Sequence, residues 1–198
     1  MAKGSNDVIL RDRLQFDIKT DGDIDLVYGR IDLSDYVSIV ENKGLAIKEI
    51  RFQPRTSATR VGTTGSWPQW MLDFGTLANA TSELKMFATT TAYENAFDVG
   101  IGSPNVLCIY ERQTTQCLAD PVTGADTQQG LTEWNWWGTP DLHPEGYDVV
   151  TDLLIGVSGF AITRLADATC ELDVMIIAEP KKITQKDMTQ MLTQAQDL

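Results

Sequence analysis

Residues 170–179 read Cys-Glu-Leu-Asp-Val-Met-Ile-Ile-Ala-Glu, and residues 180–198 continue PKKITQKDMTQMLTQAQDL. The first ten residues are apolar enough, and rich enough in β-branched side chains, to form a buried strand. Pro180 is expected to stop it. A short helix is expected next, because Thr184 stands as an N-cap with Asp187 three residues on, and Ile183 and Met188 occupy the N′ and N4 positions of a hydrophobic staple. Met188, Met191, Leu192 and Ala195 then fall at i, i+3, i+4 and i+7, one apolar stripe. Almost everything upstream reads as strand and turn. The boundaries predicted are an arm over 1–6, a β-sandwich over 7–180 and a helical tail over 181–198.

The first strand is the clearest. Val8, Leu10, Leu14, Phe16 and Ile18 share one side, broken only by Asp12, while Arg11, Arg13, Gln15 and Asp17 share the other. A period of two over eleven residues is a strand with one wet face. Asp21-Gly22 supplies a turn, and a second strand carries Ile24, Leu26 and Tyr28, with a bulge expected at Gly29 where the phase changes toward Ile31 and Leu33. Leu45–Gln53 is a third strand with a phase slip between Ile47 and Ile50. Residues 54–66 read as a long polar loop, 67–74 as a strand and 81–88 as a turn or two of helix with Leu84, Phe87 and Ala88 inward. Val106–Arg112 is a buried strand. Residues 131–137 hold three of the five tryptophans. Leu153–Thr163 and Cys170–Glu179 are expected to pair as an antiparallel hairpin. About eight to ten irregularly spaced strands with no visible repeat exclude a propeller or solenoid. They predict an all-β fold, a two-sheet sandwich of jelly-roll type with a C-terminal amphipathic helix.

The chain has 198 residues, enough for one sizeable core, and 42% of them are hydrophobic. Its 28 acidic and 16 basic residues give a formal net charge of −12. Such a surface repels phosphates, so direct nucleic-acid binding is not expected. The three cysteines, Cys108, Cys117 and Cys170, lack CxxC spacing. They read as free thiols, with a Cys108–Cys117 bridge across a hairpin as the alternative. The N-terminal residues carry no apolar run of secretory type.

No catalytic constellation emerges, and no enzyme is expected. The one histidine, His143, stands with Asp141 and Glu145 around Pro144. That is too little nitrogen or sulfur for a usual transition-metal site. Gly156-Val157-Ser158-Gly159 lacks the full nucleophile-elbow pattern and lies inside a strand, where small residues allow close packing. Gly100-Ile101-Gly102 is followed by Ser103-Pro104 and not by the rest of a dinucleotide fingerprint. Asp21, Asp23 and Asp25 admit weak calcium binding, although an Asp-Gly turn already explains them. No metal and no cofactor is predicted.

Two groups are candidate contact residues. Trp134, Trp136 and Trp137 suit core or subunit packing, or alternatively stacking on sugar rings. Ile183, Met188, Met191 and Leu192 suit an adaptable contact with a neighbouring subunit. Membrane contact by the tail is left open, since a helix lying on a membrane wants more Lys and Arg than this one has.

With its alternating first strand, its last two strands and its helical tail, the chain resembles a small single-jelly-roll major capsid protein of tailless icosahedral viruses of archaea and bacteria, over roughly Asp7 to Glu179. The resemblance implies a structural virion protein, a shell subunit that associates with copies of itself and with other capsid proteins in a virion assembled in the host cytoplasm. Terminal arms or tails would tie neighbours together. The alternative is a non-catalytic carbohydrate-binding sandwich using the tryptophans.

Overall fold

The computed structural model describes residues 6–56, 65–73, 79–118, 128–138 and 146–194. Nine strands and one α-helix are formed by these residues: β1 Val8–Asp17, β2 Ile24–Ile31, β3 Lys43–Thr56, β4 Asn79–Thr89, β5 Val106–Leu118, β6 Gln128–Gly138, β7 Tyr147–Val149, β8 Leu153–Phe160, β9 Thr169–Lys182 and α1 Gln185–Gln194. They make a four-stranded sheet in the order β1-β9-β3-β7 and a five-stranded sheet in the order β2-β8-β4-β5-β6. All pairings are antiparallel. The chain starts in the first sheet, passes to the second and alternates until β4, β5 and β6 run as consecutive neighbours; β7, β8 and β9 then alternate again. This double wrapping is the jelly roll, here with β6 added at one edge.

Strand β9 is the axis of the first sheet, with β1 on one side and β3 on the other. Cys170, Leu172, Val174, Ile176 and Ala178 are buried, and the residues between them are half-exposed. They meet Leu84, Met86, Ile155 and Val157 of the second sheet in one continuous core. Pro180 does not end β9, which runs to Lys182. Strand β1 begins opposite Ala178, so β9 has no neighbour on that side at Pro180, and an edge position tolerates a missing N–H. Pro54 in β3 is accommodated alike, since β7 pairs only Leu45 to Ile47.

Several sequence readings need correction. Residues 81–88 are not helical but lie in β4, where Leu84, Met86 and Ala88 face the core while Phe87 turns to the other face and is covered there by Val99, Ile109 and Tyr28. A strand buried on both faces loses its period of two and can imitate helical spacing. Among the described residues of 67–74 no strand forms; that segment is attached through an isolated bridge between Arg55 and Ser66. The irregularity in β2 falls between Ile24 and Val27, and Gly29 pairs regularly with Ile155. Gly29 is small because the Leu14 side chain packs over it. The slip in β3 is where it was expected, between Ile47 and Glu49. Cys108 and Cys117 lie in one strand, β5, nine residues apart and about 30 Å along it, so they cannot bridge.

The expected hairpin of the last two strands is also absent. β8 belongs to the five-stranded sheet and β9 to the four-stranded one. The link crosses the end of the sandwich through a 3-10 turn at Thr163–Leu165, with Ala161 at φ 52° and Asp167 at φ 59°. Ile162, Leu165 and Ala168 plug the core on the way.

The outer face of the second sheet is partly roofed by residues 93–105. Lys85 Nζ donates to the carbonyls of Ala96 (3.2 Å) and Val99 (3.1 Å) and pairs with Glu111 at 3.1 Å. The Tyr28 hydroxyl accepts from the Tyr93 N–H at 2.8 Å. Beneath this roof Phe87 and Tyr28 meet edge to face, with centroids 5.8 Å apart and planes at 85°.

Candidate functional site

Two segments carry the residues predicted for contact: the tryptophan strand β6 and the tail, made of Ile183 and helix α1. Strand β6 pairs with β5 over its whole length, Trp134 opposite Arg112, Trp136 opposite Tyr110 and Trp137 opposite Ile109. In register, then, Trp134 lies on the sandwich side of the sheet and Trp137 on the other. Trp134 is 41% exposed and Trp137 39%. Trp134 stacks on Tyr110 with centroids 4.6 Å apart and planes at 27°, and the Arg112 guanidinium lies 4.2 Å from the Trp134 ring centroid.

Arg112 is the residue that sequence reasoning missed. It is 4% exposed, and it donates to the Gln69 carbonyl, which also accepts from the Thr132 hydroxyl at 3.0 Å. Its Nε has no hydrogen-bond partner among the described residues. Burial pulls its pKa below the usual arginine value, with Tyr110 acting the other way. Trp134 is thus held against Tyr110 and Arg112 while its ring stays open to solvent.

The tail is built as its sequence predicts. Thr184 Oγ1 accepts from the Asp187 N–H at 3.3 Å and donates to the Asp187 carboxylate at 2.6 Å. Ile183 and Met188 pack together with Val150 and are 5% and 1% exposed, while Met191 and Leu192 are half-buried beside them. The Ile183 N–H donates to the Asn42 carbonyl at 3.0 Å, and Gly44 leaves room for the Ile183 side chain, where a Cβ would overlap it. Within the chain, Ile183 and Met188 form the staple on an apolar floor that Val150 provides. Ala195 lies outside the described residues.

Other candidates fare differently. His143, with Asp141 and Glu145, lies outside the described residues. Asp21, Asp23 and Asp25 do not converge. Asp21 caps the Asp23 N–H (3.0 Å), Asp23 accepts from the Ala161 N–H (2.9 Å) and Asp25 accepts from Lys19 Nζ (2.6 Å). Among the described residues no group of three or more His, Cys, Asp or Glu side chains is placed to hold a metal ion. Gly156 and Gly159 serve close packing in β8, the former under the Phe87 ring. No helix among the described residues is long and apolar enough to cross a membrane.

The outer face of the four-stranded sheet concentrates arginine in an otherwise acidic chain. Arg13 Nε lies 2.6 Å from Asp173 and its Nη1 3.3 Å from Glu171, and Arg55 reaches Asp173 at 3.1 Å. The Arg13 hydrogen bond, helped by Arg55, holds the Asp173 carboxyl below its usual pKa. A depressed carboxylate stabilises the fold above its unfolded pKa of about 3.9, and that contribution is lost as pH falls through the folded value. Asp173→Asn is accordingly expected to be less stable than the parent at neutral pH, with the gap closing as pH falls through the lowered folded value of Asp173. Denaturant midpoints measured across pH check this. A gap that stays constant would show that the pair does not depend on ionisation.

No protein-family model matches the chain, and none of the curated proteins matches it. Among solved structures it is similar to the crystal structure of the 60-mer BFDV capsid protein, at a TM-score of 0.36 and 11% identity, over 91% of this chain and 97% of that one. It is also similar, at a TM-score of 0.16 and 11% identity, to the tailspike protein of Acinetobacter baumannii phage AM24, over 88% of this chain and 28% of that one. The strand order, and neither likeness, carries the fold assignment.

Proposed function

We propose that the chain is a structural virion protein, a shell subunit that associates with copies of itself through the sides and edges of its jelly roll. The observation that carries the reading is the strand order. Jelly rolls of two sheets serve capsid proteins, lectins and cupins. Self-association is further supported by large apolar side chains left in solvent, among them Leu131 (58% exposed), Phe160 (60%) and Phe97 (100%). On this reading the protein is not an enzyme, needs no cofactor and leaves nucleic acid to other components. It resides in the virion, with other capsid proteins as further partners.

Light scattering on a size-exclusion column, with negative-stain imaging of each peak, tests it. Rings, capsomers or shells are expected. A monomer of 21.9 kDa at high protein concentration and across salt would overturn the proposal. A second reading, glycan binding, is favoured by one observation only, the half-exposed Trp134 held flat on Tyr110. It predicts a monomer whose glycan affinity disappears in Trp134→Ala.

A further inference from the structure

A sheet edge is a row of unpaired backbone donors and acceptors, and proteins that stay apart blunt it with charge, proline, bulges or shortness. Among the described residues, three of the four sheet edges are blunted. β1 carries Arg11, Asp12 and Arg13 in succession. β2 contains Asp25 and Arg30 and an irregular register. β7 is three residues long. The fourth, β6, is eleven residues long, reads QQGLTEWNWWG, and has no Lys, Arg or Pro and a single charge, Glu133. Among the described residues it pairs with β5 alone. Among the described side chains along it, Leu131, Trp134 and Trp137 are large, apolar and exposed.

We infer that β6 is the seat of a twofold contact with a second copy of this chain, the two β6 strands pairing antiparallel so that two five-stranded sheets become one of ten. The inference rests on the shell-subunit reading and names one of its contacts. The sequence of the strand selects the register. Centred on Trp134, the pairing sets Gly130 opposite Gly138, Leu131 opposite Trp137, Glu133 opposite Asn135 and Trp134 opposite its own copy. Apolar then meets apolar on the outer face, the lone carboxylate meets an amide donor, and the exposed side of each Tyr110–Trp134 stack meets the other. Centred one residue earlier, on Glu133, the pairing would oppose the two carboxylates directly, which is destabilising. The contact is isologous, so it closes on itself and leaves other surfaces free for further assembly.

The test is directed cross-linking in the full chain. Glu133→Cys and Asn135→Cys variants are prepared separately and oxidised alone and as a mixture. Directly opposed positions have Cβ atoms about 5 Å apart, whereas the diagonal is about 7 Å or more. A disulfide dimer forming at least about tenfold faster in the mixture than in either variant alone is the expected result, since only the mixture offers directly opposed thiols. Leu131→Lys, which places a charge on the exposed side of this edge, is expected to weaken dimerisation about tenfold or more by light scattering. If oligomers form but the mixture shows no preference and Leu131→Lys leaves them intact, the edge contact is wrong and the shell reading survives. If every variant and the parent remain monomeric, both are overturned.

Discussion

Replacing Gly156 with valine is expected to destabilise the domain by about 3 kcal/mol or more, a large part of the 5–15 kcal/mol typical of a natural domain. Gly156 sits in β8 between Tyr28 of β2 and Phe87 of β4, which are its register partners on either side. The Phe87 ring folds over the glycine, fully buried, and meets Tyr28 edge-on. A Cβ at Gly156 would occupy the ring's own volume, with Cζ, Cε1 and Cε2 of Phe87 as its nearest neighbours. A ring cannot yield as the end of a flexible chain can, so Phe87 must leave its site. Truncating a buried phenylalanine alone costs about 3–5 kcal/mol. The two positions compete for one space, so the double variant Gly156→Val with Phe87→Ala is expected to lose markedly less than the two single losses added together. Urea midpoints of the four proteins form the cycle. Strict additivity would show that the ring and the glycine do not share that space.

Gly156 also shows what the sequence makes legible. Its neighbourhood in β8 was readable as a strand packed closely, because Leu153, Ile155 and Val157 alternate around small residues; that the neighbour is Phe87, sixty-nine positions earlier, was not. Local signals survive translation into structure. The Thr184–Asp187 cap and the Ile183–Met188 staple involve residues within five positions of one another, and both are found. The period of two in Val8–Ile18 likewise gave β1. Partner choice between strands is non-local, and there the nearest strand in sequence misled: β8 and β9 are adjacent in the chain and lie in different sheets. The crossing uses left-handed backbone at Ala161, a residue type that does not advertise it. Arg112 was missed for a related reason. The sequence reading ended the buried strand at Arg112, yet β5 continues to Leu118 and keeps Arg112 on the side of Cys108 and Tyr110. Of the candidate contact residues, Trp134 and Trp137 are exposed, while Ile183 and Met188 pack within their own chain.

Replacing Met188 with lysine is expected to release the tail helix while leaving the sandwich folded. Helix α1 has ten residues, shorter than the ~12–15 at which even good helical sequences are marginal alone in water, so docking must hold it. The dock is small and separate from the main core: Met188 and Ile183 on Val150, edged by Met191 and Leu192. Burying a side chain of methionine size is worth about 1.5–3 kcal/mol, and an ammonium at a site 1% exposed has no acceptor in that apolar cluster. Amide hydrogen exchange of residues 185–194 should therefore speed up by about 100-fold, while amides of β4 and β9 keep their protection, because the core between the sheets does not include the tail. Deleting residues 184–198 should act the same way and also expose Val150 and Ile183. The Met188 variant carries a further consequence for assembly. If the tail works by reaching a neighbour, a released tail is freer to do so, and particle formation persists in Met188→Lys but fails in the deletion. If the tail works by shaping the surface it covers, both fail together. Loss of exchange protection throughout β4 and β9 in Met188→Lys would instead show that helix and sandwich fold as one unit, and that the small cluster on Val150 is part of the core.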